Sequence, residues 1–124
     1  MVTSDADAER AYDEDRFSTH ALHSSDRAKV LFGYFEPGQF IPVHAPESDL
    51  VVRVESGRGL VRDGADERSV ETGDVVVVPA GDSRGIHANE GERLEALLVV
   101  SPPPTDAEHA PVREGLRRGE FEPS

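Results

Sequence analysis

The chain has 124 residues, a length that suits one domain with a single modest core or a narrow barrel. Hydrophobic residues make up only 36%, which leaves little apolar material for a second core. The 25 acidic residues outnumber the 13 basic ones, and the net charge of −12 repels nucleic-acid phosphates and anionic lipid; without cysteine there is no disulfide, thiolate ligand or thiol nucleophile.

Residues 1–16 are polar and charged without a period and read as a flexible acidic arm. They lack an apolar h-region, so no signal peptide is expected. Two strands are expected at Phe17–His23 and Ala28–Phe35, followed by the turn residues Glu36-Pro37-Gly38. A strand at Asp49–Val54 closes at Ser56-Gly57, and a short one at Gly59–Arg62 ends at Asp63-Gly64. Arg68–Glu71 leads into Thr72-Gly73-Asp74, and the valine run Val75–Val78 stops at Pro79-Ala80-Gly81. Gly85–Ala88 and Arg93–Ser101 are the last expected strands, separated by Asn89-Glu90-Gly91. Turns recurring about every eight to twelve residues predict an all-β sandwich or barrel over residues 17–104. The longest apolar run, Ala96–Val100, is far short of the roughly twenty residues of a membrane helix. Pro102-Pro103-Pro104 ends the sheet region, because proline cannot donate to a ladder. Thr105 and Glu108 have the spacing of a capping box, so residues 105–124 are expected to form a short helical segment and a tail.

Two motifs stand out. Gly38–Gly57 reads G-x5-H-x-P-x3-L-x6-G, and Gly73–Gly81 reads G-x5-P-x-G. The pair resembles the two motifs of the cupin superfamily, G-x5-H-x-H-x3,4-E-x6-G and G-x5-P-x-G-x2-H-x3-N. Gly38, His44, Gly57, Gly73, Pro79 and Gly81 carry the match. The resemblance implies a double-stranded β-helix, or jelly-roll, barrel. It also implies a divalent metal held by two histidines and a glutamate of the first motif and one histidine of the second.

The chain departs from that ligand set. His44 remains, but Pro46, Leu50 and Arg84 occupy the other three positions. Side chains alternate faces along a strand. With His44 inward, Leu50, Val52 and Val54 can line the interior and Asp49 points out. Arg84 and Ile86 then point in, and His87 points out unless a bulge shifts the register. One imidazole, one guanidinium and aliphatic walls make a poor cage for a metal that wants at least three donors. The same set suits a small anion: the arginine fork meets a carboxylate or a phosphate, the histidine adds a donor and Leu50 and Val52 grip an apolar body. His20 and His23, three apart, are expected on opposite faces of their strand, and His109 in a solvated helix or tail.

The expected function is therefore a metal-free cupin-fold protein binding a small anionic or polar metabolite through His44, Arg84, Leu50 and Val52. The alternative is a metal-dependent enzyme of dioxygenase or isomerase type using His44 and His87. A barrel serving only as an interaction scaffold is a third reading. No cofactor, nucleic acid or membrane partner is expected, and the location is expected to be cytoplasmic. The resemblance further implies a homodimer, and apolar strands such as Ala28–Phe35 would leave edges in water if unpaired. In composition, the acid-rich, lysine-poor chain resembles proteins of salt-loving archaea.

Overall fold

The computed structural model describes residues 1–122. Eight strands follow one another: β1 (Ser18–Ser24), β2 (Lys29–Phe35), β3 (Phe40–His44), β4 (Asp49–Asp63), β5 (Asp66–Glu71), β6 (Val75–Val78), β7 (Arg84–Ala88) and β8 (Leu94–Ser101). A 3₁₀ turn (Ala107–His109) and helix α1 (Ala110–Arg118) complete the chain. All strand pairs are antiparallel, in the order β1-β2-β8-β4-β7-β3, with β5 and β6 also pairing β4. This is the curled, mostly β architecture expected of a jelly-roll barrel. No helix among the described residues is long and apolar enough to cross a membrane.

The organising strand is β4. Residues 49–57 pair with β8, and residues 50–53 also pair with β6. Residues 58–63 pair instead with β5, and residues 59–63 with β7. Asp49–Val54 and Gly59–Arg62, expected as two strands, are thus one strand that turns from one sheet into the other. The turn is at Gly57, whose φ is +89° and where an added Cβ would lie 1.9 Å from the Arg93 carbonyl oxygen. Only glycine fits there.

Strand β3, for which the sequence set no bounds, carries the expected strand residue His44, and Pro42 interrupts its otherwise apolar run. It is tolerated since β3 pairs only with β7 and needs no donor on its other side. Helix α1 covers that side: a Cβ on Gly115 would lie 2.6 Å from the Pro42 ring. The expected capping box forms. Thr105 N–H donates to Glu108 Oε1 at 2.9 Å, and Glu108 N–H donates to Thr105 Oγ1 at 3.2 Å.

The interior is built from alternate strand positions, as the period of two requires. Phe35, Val52, Val54, Val61, Val78 and Leu94 are among its most buried members. Each fully buried aliphatic or aromatic side chain contributes about 1.5–3 kcal/mol relative to exposure. The ring of Phe17 stacks on Phe35 at 5.7 Å and packs against the core.

Residues 1–16, expected as a flexible arm, lie against the outer face of β2 and β8. Ala6 is buried with Phe32 and Tyr34. The Tyr34 hydroxyl donates to the Ala6 carbonyl at 2.7 Å, and Arg10 Nε donates to Glu95 Oε2 at 2.6 Å. Burial alone would raise the Glu95 carboxyl, but hydrogen bonds from Arg10 and Tyr12 outweigh it and hold the group below the usual carboxylate range. Tyr34, excluded from water beneath the arm, is pushed up to about 12.

His20 and His23 also differ from expectation. A bulge between Ala21 and His23 pairs His20 with Phe32 and His23 with Val30, so both histidines share the outer face.

Candidate functional site

Strands β1, β2, β3, β4, β7 and β8 and the segment leading into α1 enclose a cavity of about 200 Å³. Leu31, Ile41, Leu50, Ile86 and Leu98 form its apolar wall. His44 and Arg84 also line it, as does Pro46, so the four positions that correspond to metal ligands in the resembling motifs meet at one place. Thr19, Lys29 and His109 add polar groups from β1, β2 and the 3₁₀ turn. Among the described residues no Asp or Glu lines this cavity, although the chain carries 25 of them.

His44 lies at the end of β3, opposite Arg84 of β7, just past a register shift that begins at Ile41. Its Nδ1 is 2.9 Å from the Pro42 carbonyl oxygen. A carbonyl only accepts, so Nδ1 carries the proton and Nε2 is the acceptor nitrogen. Burial lowers the imidazole below the usual histidine range, and the nearby Arg84 charge adds to the effect. The ring is therefore neutral at pH 7.

Arg84 is only 3% exposed and has no carboxylate in ion-pair contact among the described residues. Its guanidinium instead donates to three backbone carbonyls. Nη1 reaches Ser48 O at 2.7 Å, Nη2 reaches Pro79 O at 2.9 Å and Asp82 O at 3.1 Å, and Nε reaches Asp82 O at 3.2 Å. Of its five N–H groups, one on Nη1 is left over. The two-pronged fork expected to face an anion thus ties the loop before β4 to the loop before β7. Burial lowers the guanidinium, while Asp49, Asp82, Asp63 and Glu47 counter it through space.

Other expected positions are resolved less favourably. Leu50 lines the cavity, but Val52, expected beside it, is 1% exposed within the packed core and does not. Asp49 points out as expected and accepts a hydrogen bond from Ala80 N–H at 2.9 Å. His87 is on the outer face of β7, stacked on Phe40 at 5.4 Å and edge-on to Phe121 at 5.1 Å. No bulge in β7 turns it inward, so His44 and His87 are not brought together.

Among the described residues no three His, Asp or Glu side chains converge as a metal cage. The donor set at the four motif positions is one imidazole with proline, leucine and arginine, which does not fit a divalent cation. Sequence reasoning missed Lys29 and His109 as cavity residues. Alternation from Leu31 places Lys29 on the same face of β2 and could have identified it. No local pattern shows that residues 102–109 fold back over the barrel mouth. A wider groove of about 640 Å³, between α1 and the β2–β3 turn, contains Arg16, Glu90, Arg113 and Arg117 and no cavity residue.

The sequence model of the family described as "Cupin domain" matches residues 31–100. Among solved structures, the TT1209 protein of Thermus thermophilus is similar over 84% of this chain and all of its own, with 27% identity and a TM-score of 0.80. An RmlC-like cupin protein from Desulfovibrio desulfuricans is also 27% identical, with a TM-score of 0.73, over 83% of this chain and 98% of that one. A cupin superfamily protein of Desulfitobacterium hafniense, 21% identical over 79% of this chain and 87% of its own, shares the fold at a TM-score of 0.70. No curated protein matches the sequence.

Proposed function

The chain belongs to the cupin domain family, and we propose that its barrel is a metal-free receptacle for a small anionic or polar metabolite. One observation carries this reading: a chain of net charge −12 encloses a cavity lined by Lys29, Arg84, His44 and His109 and, among the described residues, by no Asp or Glu. Apolar walls with a few convergent polar groups are the usual make-up of a small-molecule site. The neutral His44 ring offers Nε2 as an acceptor, Leu50 supplies apolar contact, and Arg84 fixes the loops that shape the mouth. We place this activity in the cytoplasm, in a homodimer.

Elemental analysis of protein purified without chelators or an affinity tag tests the reading. Substoichiometric metal, unchanged in His44→Ala and His87→Ala, is expected. Near-stoichiometric metal that is lost on changing either histidine would overturn it in favour of a metal-dependent enzyme.

A further inference from the structure

Lys29 is the chain's only lysine, and it lines the cavity from the first position of β2. It pairs through the backbone with Ser24 and Val100, and it shares the inner face with Leu31, two residues on. Eight of the twelve arginines have a carboxylate within ion-pair distance: Arg10, Arg53, Arg58, Arg62, Arg93, Arg113, Arg117 and Arg118. Lys29 has none among the described residues, although it is half-buried. A half-buried lysine without an ion-pair partner, beside an apolar cavity in a chain rich in carboxylates, is the group a ligand anion would complement.

The other polar groups of the cavity are placed differently. The Arg84 guanidinium is committed to Ser48, Pro79 and Asp82 carbonyls. His109 and Thr19 are exposed, which places them on the solvent side of the cavity, while Leu31, Leu50, Ile86 and Leu98 are buried at its floor. At about 200 Å³ the cavity is smaller than the usual ligand pocket of about 300–1,000 Å³ and suits a short ligand. A phosphate would call for several donors or a free arginine fork. Arg84 spends four of its five N–H groups on backbone carbonyls, which leaves Lys29 as the cation with donors to spare, and one ammonium suits one carboxylate.

Resting on the reading of this cavity as a binding site, we infer that Lys29 is its anion-recognising residue and that the ligand class is a short aliphatic monocarboxylate. Its carboxylate lies against Lys29 with Thr19 and His109 beside it. Its chain lies on the leucine and isoleucine floor.

Calorimetric titration with three probes of equal length, hexanoate, hexan-1-ol and hexylamine, tests this on the full chain. Hexanoate is expected to bind the wild type, and Lys29→Met, which keeps the apolar stem, to weaken it at least tenfold. Lys29→Arg should restore most of the loss. Arg27→Met, an equal change of charge on the exposed β1–β2 turn, should leave hexanoate binding unchanged. Hexan-1-ol should bind Lys29→Met and wild type alike, which also shows that the variant is folded. Hexanoate binding that ignores Lys29→Met, or hexylamine binding as tightly as hexanoate, would overturn the inference and leave the cavity a site for another class. If neither hexanoate nor hexan-1-ol binds the wild type or moves the methyl resonances of Ile86 and Leu98, both the inference and the binding reading fail.

Discussion

The Tyr12 hydroxyl donates to Glu95 Oε2 at 2.5 Å, joining the N-terminal arm to the last strand of the barrel across 83 positions of sequence. Arg10 reaches the same oxygen from the same arm, and the Arg93 guanidinium lies 4.2 Å from the Tyr12 ring centre. Glu95 is 4% exposed, so these hydrogen bonds are shielded from solvent on one side. Replacing Glu95 by Gln keeps the shape and removes the charge. The expected loss is about 1.5–3 kcal/mol, the range for hydrogen bonds to charged groups. Urea unfolding measures it, and limited proteolysis should show faster cutting within residues 1–16. An arm cut at the wild-type rate in Glu95→Gln would show that the anchor lies elsewhere.

Arg84→Ala is expected to act on stability first. It leaves the carbonyls of Ser48, Pro79 and Asp82 without their donor, at about 1–3 kcal/mol for each group that water cannot reach. Lysine cannot reproduce a planar fork that spans three carbonyls, so Arg84→Lys should recover little. Thermal unfolding of the two variants compares them. A wild-type midpoint in Arg84→Ala would remove the structural role.

His44 sets a pH dependence whose sign follows from its burial. Its folded value lies below the unfolded value of 6.5. Near pH 6.5 the unfolded chain takes a proton that the folded ring refuses. Stability is therefore full above pH 6.5 and declines as the pH falls through the lower folded value. Glu95 and Glu108, also lowered, start from 4.5 and titrate beneath this window. Urea midpoints between pH 7.5 and 5 should fall in the wild type and stay flatter in His44→Asn. Parallel curves for the two proteins would refute the assignment.

Salt should raise the melting temperature. The charge of −12 is crowded on a small body, and the Debye length shrinks from about 10 Å at 0.1 M to about 3 Å at 1 M. Surface ion pairs such as Arg58–Glu71 are screened as well, but each is worth only about 0–1 kcal/mol. A midpoint that does not move between 0.1 and about 1 M KCl would show that carboxylate repulsion is not what limits stability.

Sedimentation at micromolar concentration is expected to give twice the chain mass of 13.5 kDa. The physical reason shifts from the one drawn from sequence. Strand β2 is paired on both sides, by β1 and β8, and leaves no open edge. Val75 and Val77 on β6, at 58% and 57% exposure, are instead the large apolar side chains left in water within the sheet. The double variant Val75→Thr and Val77→Thr should weaken association. A wild type that sediments only at 13.5 kDa would exclude the dimer.

What was legible in the sequence was local. The valine run of β6 and the turns at Gly38, Gly64, Gly73 and Gly81 declare themselves through β-branched stiffness and positive φ. The inward set Leu50, Arg84 and Ile86 followed from period two. What failed depended on distant contacts or on a break in the period. The bulge at residue 22 placed His20 and His23 on one face, and the turn at Gly57 fused two expected strands. The arm has no pattern of its own, because its anchor, Glu95, is 85 residues from Arg10. The Arg84 position was legible and its role was not, since the three carbonyls that occupy it come from two separate loops.

Strand β4 carries one further consequence. It belongs to both sheets: opening residues 49–57 takes from β6 its only partner and from β8 one of two, and opening residues 58–63 takes from β5 its only partner and from β7 one of two. Amide hydrogens of β4 on either side of Gly57 should then exchange with deuterium through the same global opening, whereas those of β1, held only by β2, can exchange through local fraying. The fold is in this sense a single cooperative unit pivoted on residue 57.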